Sequence, residues 1–190
     1  MGGSCFPYAE IRPNAKAHCR LITKRHVKDA REMSLQEWND MLPILKDTVA
    51  KIERVYKPAG YWISISVGPL GGQNKEHFYM RIVPKYKLGY GSVGQTGSYM
   101  LATPEQQEKL KSSSFQPDSE GVFAERSKVI AKMHNEISFG YTILTTKQSL
   151  PNKIDSIDSE IWAQIGELSQ EIMKNLKNNW IVMVSLLEYN

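Results

Sequence analysis

Between Tyr61 and Pro84 the chain reads as two extended runs joined by a glycine-rich turn, and this unit limits what can form around it. Tyr61 to Val67 and His77 to Val83 are dominated by β-branched, aromatic and apolar residues, while Gly68 to Asn74 carries the turn. Alternate strand residues point the same way, so His77, Tyr79 and Arg81 are expected side by side on one face. Phe78, Met80 and Ile82 take the other face and enter a core. An imidazole, a phenol and a guanidinium would then stand in a row beside backbone amides that glycine leaves open. Clustered N–H donors and a fixed positive fork both favour an oxyanion, so this arrangement suits a phosphate.

The rest of the first half supplies a frame for that unit. Cys19 to Thr23 reads as a short strand, and Ser34 with Glu37 three residues later has the spacing of a capping box at a helix start. Leu35, Trp38, Met41, Leu42, Leu45, Val49 and Ile52 then recur at helical intervals, giving one apolar stripe. Pro43 inside that run is expected to kink the helix or shift its start, and Pro58 with Gly60 to end it. The second half repeats the plan: a strand from Tyr141 to Thr146, a helix capped by Asp158 with Trp162, Ile165, Leu168, Ile172 and Leu176 on one face, and a strand from Trp180 to Leu187. No counterpart of the His77 strand follows. Lys111 to Gly121 is serine-rich and reads as a surface loop, and Gly89 to Gly97, with four glycines, as a loop near the site or a flexible connector.

At 190 residues the chain can bury a full core, and its 41% hydrophobic and 23% charged content is that of an ordinary soluble globular protein. A net charge of +4, dispersed along the sequence, attracts small anions but lacks the concentrated basic stripe of a nucleic-acid surface. No run approaches a membrane span and no secretory pattern opens the chain, so the cytoplasm is the expected location. Two cysteines, Cys5 and Cys19, and scattered histidines lack the spacing of a zinc site, so neither metal nor cofactor is expected.

Gly71, Gly72 and Gln73, followed by His77, Tyr79 and Arg81 and then Ile82, Val83 and Pro84, resemble the signature of the histidine triad superfamily of nucleotide hydrolases and transferases. Upstream, Glu10, Ile11, Pro13, Asn14, Ala15 and His18 resemble the acidic run leading to a buried histidine, and Ile22 to Val27 resembles a further family stretch. The likeness covers roughly residues 5 to 86, and the Gly94 to Pro104 stretch with the duplicated plan resembles the galactose-1-phosphate uridylyltransferase branch. It implies an α+β fold with an antiparallel sheet and helices packed on one side, followed by a partial second copy of the unit. The expected layout is a domain at 1–90 carrying the site, a glycine- and serine-rich connection at 91–121, and a strand-helix-strand repeat at 122–190. The first strands of the family fold are not recognisable before Cys5.

The resemblance also implies the chemistry and shows where this chain departs from it. The family's nucleophilic middle histidine corresponds to Tyr79, a phenol with a reference pKa near 10 that is a poorer nucleophile at neutral pH. His77, Tyr79 and Arg81 are the residues in catalytic positions, and Glu10, His18, Ser66, Gly71, Gly72, Gln73 and Asn74 those in ligand-binding positions. Each also has a plain structural reading: His77 as a strand histidine bonded to a carbonyl, Tyr79 and Arg81 as an exposed cross-strand pair, Glu10 as a solvated carboxylate, His18 as a half-buried strand residue, and the glycines as a simple turn. His26 is expected to cap or solvate a strand end. Three functions stay open: binding of a nucleotide or nucleotide-sugar phosphate in a degenerate site, nucleotidyl transfer or phosphoanhydride hydrolysis through Tyr79 or an external acceptor, and a protein-interaction module that has lost catalysis. The chain is expected either to dimerise or to use its second half as an internal pseudo-dimer partner.

Overall fold

The computed structural model describes residues 3–11, 13, 15–68, 73–86, 104–133, 142–151 and 154–175. Its first unit is a four-stranded antiparallel sheet of β1 (Cys5–Ala9), β2 (Cys19–Thr23), β3 (Gly60–Ile65) and β4 (Tyr79–Lys85), in the order β1-β2-β4-β3. Helix α1 (Leu35–Tyr56) connects β2 to β3 and packs on one face of this sheet. After α2 (Pro104–Lys111), a second sheet of β5 (Val122–Glu125), β6 (Val129–Met133) and β7 (Thr142–Thr146) carries α3 (Ser159–Asn175) on one of its faces. Both sheets are antiparallel and each long helix buries an apolar stripe, so the α+β class follows directly. Among the described residues no helix is long and apolar enough to cross a membrane.

Local sequence explains the element ends. Ser34 caps α1, its hydroxyl accepting from Glu37 N–H while the Glu37 carboxylate takes the Ser34 N–H, the reciprocal pair that the spacing predicted. Pro43 neither breaks α1 nor shifts its start. Pro43 and Asn39 are both exposed, so the carbonyl left without a donor at Asn39 meets water while the opposite stripe stays buried. Trp38, Met41, Leu42, Leu45, Val49 and Ile52 all face the core, whereas Leu35 at the helix start is exposed. In α3, Trp162, Ile165, Leu168 and Ile172 are buried as expected. Leu176 and the expected strand at Trp180 to Leu187 lie outside the described residues, as do the Gly89 to Gly97 loop and Tyr141.

Four elements, β1, β5, β6 and α2, were not anticipated. β1 contains Pro7, which reads as a breaker. The Glu10 N–H bonds the His18 carbonyl and the Lys24 N–H bonds the Ser4 carbonyl, so even-numbered residues face β2 and odd-numbered ones face outward. Pro7 therefore sits where its missing N–H removes no ladder bond, as an edge strand permits. β5 and β6 form a hairpin ahead of β7, so the second unit is larger than a strand-helix-strand. The 91–121 connection also contains α2.

The two units meet helix to helix, and the contacts are reciprocal. Trp38 and Trp162 stack with ring centroids 4.7 Å apart and planes 16° from parallel. The Trp38 Nε1–H donates to the Trp162 carbonyl at 2.7 Å, and the Trp162 Nε1–H to the Trp38 carbonyl at 2.8 Å. Gln170 on α3 donates to the carbonyls of Ala30 and Met33 around the 3-10 turn at 30–32, and Lys46 on α1 donates to the Asp155 carbonyl in the 3-10 turn at 154–156. The same displacement of 124 residues that relates the two tryptophans relates the two turns, the starts of α1 and α3, and strands β1 and β6. Gly166 makes this approach possible, since a Cβ there would lie 2.4 Å from Trp38 Cδ1.

Candidate functional site

Helix α1 covers the sheet face of Leu21, Ile63, Met80 and Ile82, and the Tyr61 hydroxyl reaches the Val49 carbonyl from that side. The opposite face carries polar chemistry. Strand register sets Tyr8, Arg20, Arg81 and Ser64 in one row across β1, β2, β4 and β3, with Phe6, Ile22 and Tyr79 in the next. Alternation along the strands thus brings Arg20, Tyr79 and Arg81 onto one surface.

Tyr79 is the centre of this group and only 3% exposed. Its hydroxyl donates to Asn74 Oδ1 at 3.1 Å and accepts from Arg81 Nη2 at 3.1 Å and from the Asn74 N–H at 3.3 Å. The Arg20 guanidinium lies over its ring, 4.4 Å from the centroid, and the Arg81 guanidinium at 5.3 Å. The reading of Tyr79 as an exposed cross-strand residue is therefore corrected: two cations and an amide cover it. Arg20 also pairs with Glu10, Nε to Oε2 at 2.5 Å, with both side chains only 14% exposed. Glu10 is thus a paired carboxylate at the edge of the cluster, not a solvated one.

His18 lies next to the same charges, buried to 5% exposure. Burial lowers its pKa below the ordinary histidine value; Glu10 opposes this, and Arg20 and Arg81 add to it, so the imidazole is neutral at pH 7. His77 precedes β4 in a bend, because the strand begins at Tyr79. Its Nε2 is 2.9 Å from the Thr23 carbonyl, which can only accept, so Nε2 carries the proton; the Thr23 hydroxyl is 3.1 Å from the same atom. The His77 ring also meets that of His26, centroids 4.9 Å apart, where His26 was expected to cap or solvate a strand end.

Gln73 closes the neck of the turn. Its Oε1 accepts from Gly68 N–H, and its Nε2 donates to the carbonyls of Lys28 and Lys75. These bonds occupy the amide inside the loop, while Asn74 is the turn residue that reaches the Tyr79 hydroxyl. Gly71 and Gly72 lie outside the described residues. Ser66 is half-buried just after β3. Arg20 was missed by sequence reading, although its position opposite Arg81 follows once β2 and β4 are paired. A concavity of about 630 Å³ on the β5-β6 side, away from the Tyr79 cluster, is lined by Asp118, Glu120 and Glu125 with Phe123 and Ile130 and by no cation, which makes it unsuited to phosphate. Among the described residues no group of three or more His, Cys, Asp or Glu could hold a metal ion.

The HIT domain family matches residues 3–88, the span that contains both the sheet and this cluster. Over this span the chain is similar to HIT domains. An uncharacterised HIT-like protein of Mycoplasma genitalium is 32% identical over 84 residues, covering 44% of this chain and 60% of that protein. An adenosine 5'-monophosphoramidase of Schizosaccharomyces pombe is 28% identical over 98 residues, covering 52% of this chain and 71% of that protein. The chain thus spans about 60 to 70% of the length of these relatives. Among solved structures, a uridylyltransferase mutant superposes with a TM-score of 0.62 at 11% identity, over 90% of this chain and 62% of that one. This match extends through both units, whereas the HIT family match stops at residue 88. At that identity it establishes the shared two-unit fold.

Proposed function

We infer that the HIT unit binds the phosphate of a nucleotide or nucleotide sugar without the family's covalent chemistry. The observation that carries this reading is the state of the Tyr79 hydroxyl. It occupies the position of the family's nucleophile, yet its proton goes to Asn74 and its lone pairs accept from Arg81 and the Asn74 backbone. A nucleophile activated by a general base would need an acceptor of catalytic basicity, and a side-chain amide oxygen is not one. Arg20 and Arg81 supply charge for holding an oxyanion. The similarity to an adenosine 5'-monophosphoramidase supports a nucleotide as ligand class. His18, Glu10 and Ser66 complete the wall of this site in our reading, with His77 tied to Thr23 beside it. In our reading the second unit, whose described turn, helix start and strand β6 repeat those of the first at a displacement of 124 residues, takes the place of a dimer partner.

The competing reading, nucleotidyl transfer through Tyr79, has one observation in its favour: Arg81 Nη2 lies 3.1 Å from the phenol oxygen, where it would steady an attached phosphoryl group. Isothermal titration of nucleoside monophosphates and nucleotide sugars, alongside turnover assays on the same ligands, separates the two. Binding with no release of nucleoside monophosphate is the expected result. Steady turnover that disappears in Tyr79→Phe would establish the enzyme instead.

A further inference from the structure

Within that reading, the sheet face also indicates which kind of phosphate is recognised. Arg20 and Arg81 are Cα partners across β2 and β4, so their side chains leave the same face from directly opposed positions. Like charges placed opposite one another repel, and a strand pair that keeps two guanidiniums there gains from an anion shared between them. Both guanidiniums also lie over a single aromatic ring, Arg20 at 4.4 Å and Arg81 at 5.3 Å from the Tyr79 centroid, which holds them on a common centre. Glu10 pairs with Arg20 through Nε, and a guanidinium carries five N–H donors, more than one carboxylate can take. Ser64, in register with Arg81 on its other side, adds a hydroxyl to the same row.

We propose that Arg20 and Arg81 form a two-guanidinium fork for the terminal phosphate of a monoester, making Arg20 the residue that selects a dianionic phosphate over a phosphodiester. A monoester presents two negative charges and three terminal oxygens, enough for two planar forks, whereas a diester presents one charge and two oxygens. Glu10 tempers the fork by holding one edge of Arg20, so the carboxylate competes with the ligand.

The test is isothermal titration of the full chain with adenosine 5'-monophosphate, its 5'-phosphate methyl ester and ribose 5-phosphate, on the parent, Arg20→Ala and Glu10→Gln. The parent is expected to bind the two monoesters at least tenfold more tightly than the methyl ester. Arg20→Ala abolishes that preference. Glu10→Gln, which keeps Arg20 and removes the competing negative charge, tightens monoester binding severalfold; a purely structural Glu10–Arg20 pair would weaken it or leave it unchanged. Ribose 5-phosphate binding that depends on Arg20, without binding of adenosine 5'-monophosphate, would support the fork while removing the nucleotide reading. Equal affinity for monoester and methyl ester, unchanged preference in Arg20→Ala, or no binding of any of the three would overturn the proposal.

Discussion

Replacing Gly166 by alanine tests the packing that joins the two units, because the structure fixes both the sign and the scale of the effect. In an exposed helix interior this change stabilises by about 1 kcal/mol, since alanine is the better helix former. At position 166 the added Cβ would lie 2.4 Å from Trp38 Cδ1, 2.5 Å from Nε1 and 2.7 Å from Cγ. Ordinary carbon contacts need about 3.5–4.0 Å, so the indole must retreat by about an ångström or more. It has nowhere to go: Trp38 is 1% exposed, stacked on Trp162, and bonded through Nε1 to the Trp162 carbonyl at 2.7 Å. Overpacking costs about 1–3 kcal/mol and a buried carbonyl deprived of its donor about 1–3 kcal/mol more. After the propensity gain the net loss is about 1–5 kcal/mol, centred near 3, which lowers the melting temperature of a chain this size by about 6–12 °C. Urea and thermal unfolding followed by circular dichroism measure it. In a Trp38→Leu background the clash is removed, and Gly166→Ala should be neutral or mildly stabilising. A higher melting temperature for Gly166→Ala in the parent, or the same loss in both backgrounds, would refute the reasoning.

Two further outcomes follow from perturbed ionisation. The Arg25 guanidinium, bonded to Glu37, holds that carboxyl at about 2 against an ordinary value of 4.5. A depressed folded pKa gives stability that is present above the unfolded value and lost as pH falls through the folded one, so this contribution should fade between about pH 4.5 and 2. Because Arg25 is half exposed, solvent screening keeps this contribution small; Glu37→Gln, which keeps the capping box, should remove that part of the pH dependence in urea titrations. Burial pushes the thiols of Cys5 and Cys19 to about 11, with Asp40 adding to the effect at Cys5. Iodoacetamide at pH 8 should alkylate both about a hundredfold more slowly in the folded protein than in urea, and comparable rates would show that the thiols are accessible.

The parts of the fold that sequence made legible are those where local chemistry and periodicity agree. The Ser34–Glu37 box, the α1 stripe from Trp38 to Ile52 and the Asp158 cap of α3 need only nearby residues to be recognised. β1 was hidden because Pro7 breaks a strand unless the strand is an edge, and edge status depends on β2, ten residues later. β5 and β6 are short and flank a tight turn, so neither offers enough alternation to stand out. At the site, the alternation of Tyr79 and Arg81 on one face was readable, whereas Arg20 acquires meaning only through the β2–β4 register. Gln73 shows the limit of a motif: the spacing identifies the residue, but three hydrogen bonds within the loop decide what its amide does. Likewise, His77 falls just outside the strand because its imidazole is tied to Thr23, a partner 54 residues away.

The most direct test of the central claim, that Tyr79 anchors the phosphate site and does not attack it, is the intact mass of the protein after incubation with adenosine 5'-phosphoramidate and rapid acid quenching. The account predicts the unmodified mass at every time point, together with saturable, reversible binding of the same compound. A mass increase of one adenylyl group, absent from Tyr79→Phe, would contradict it.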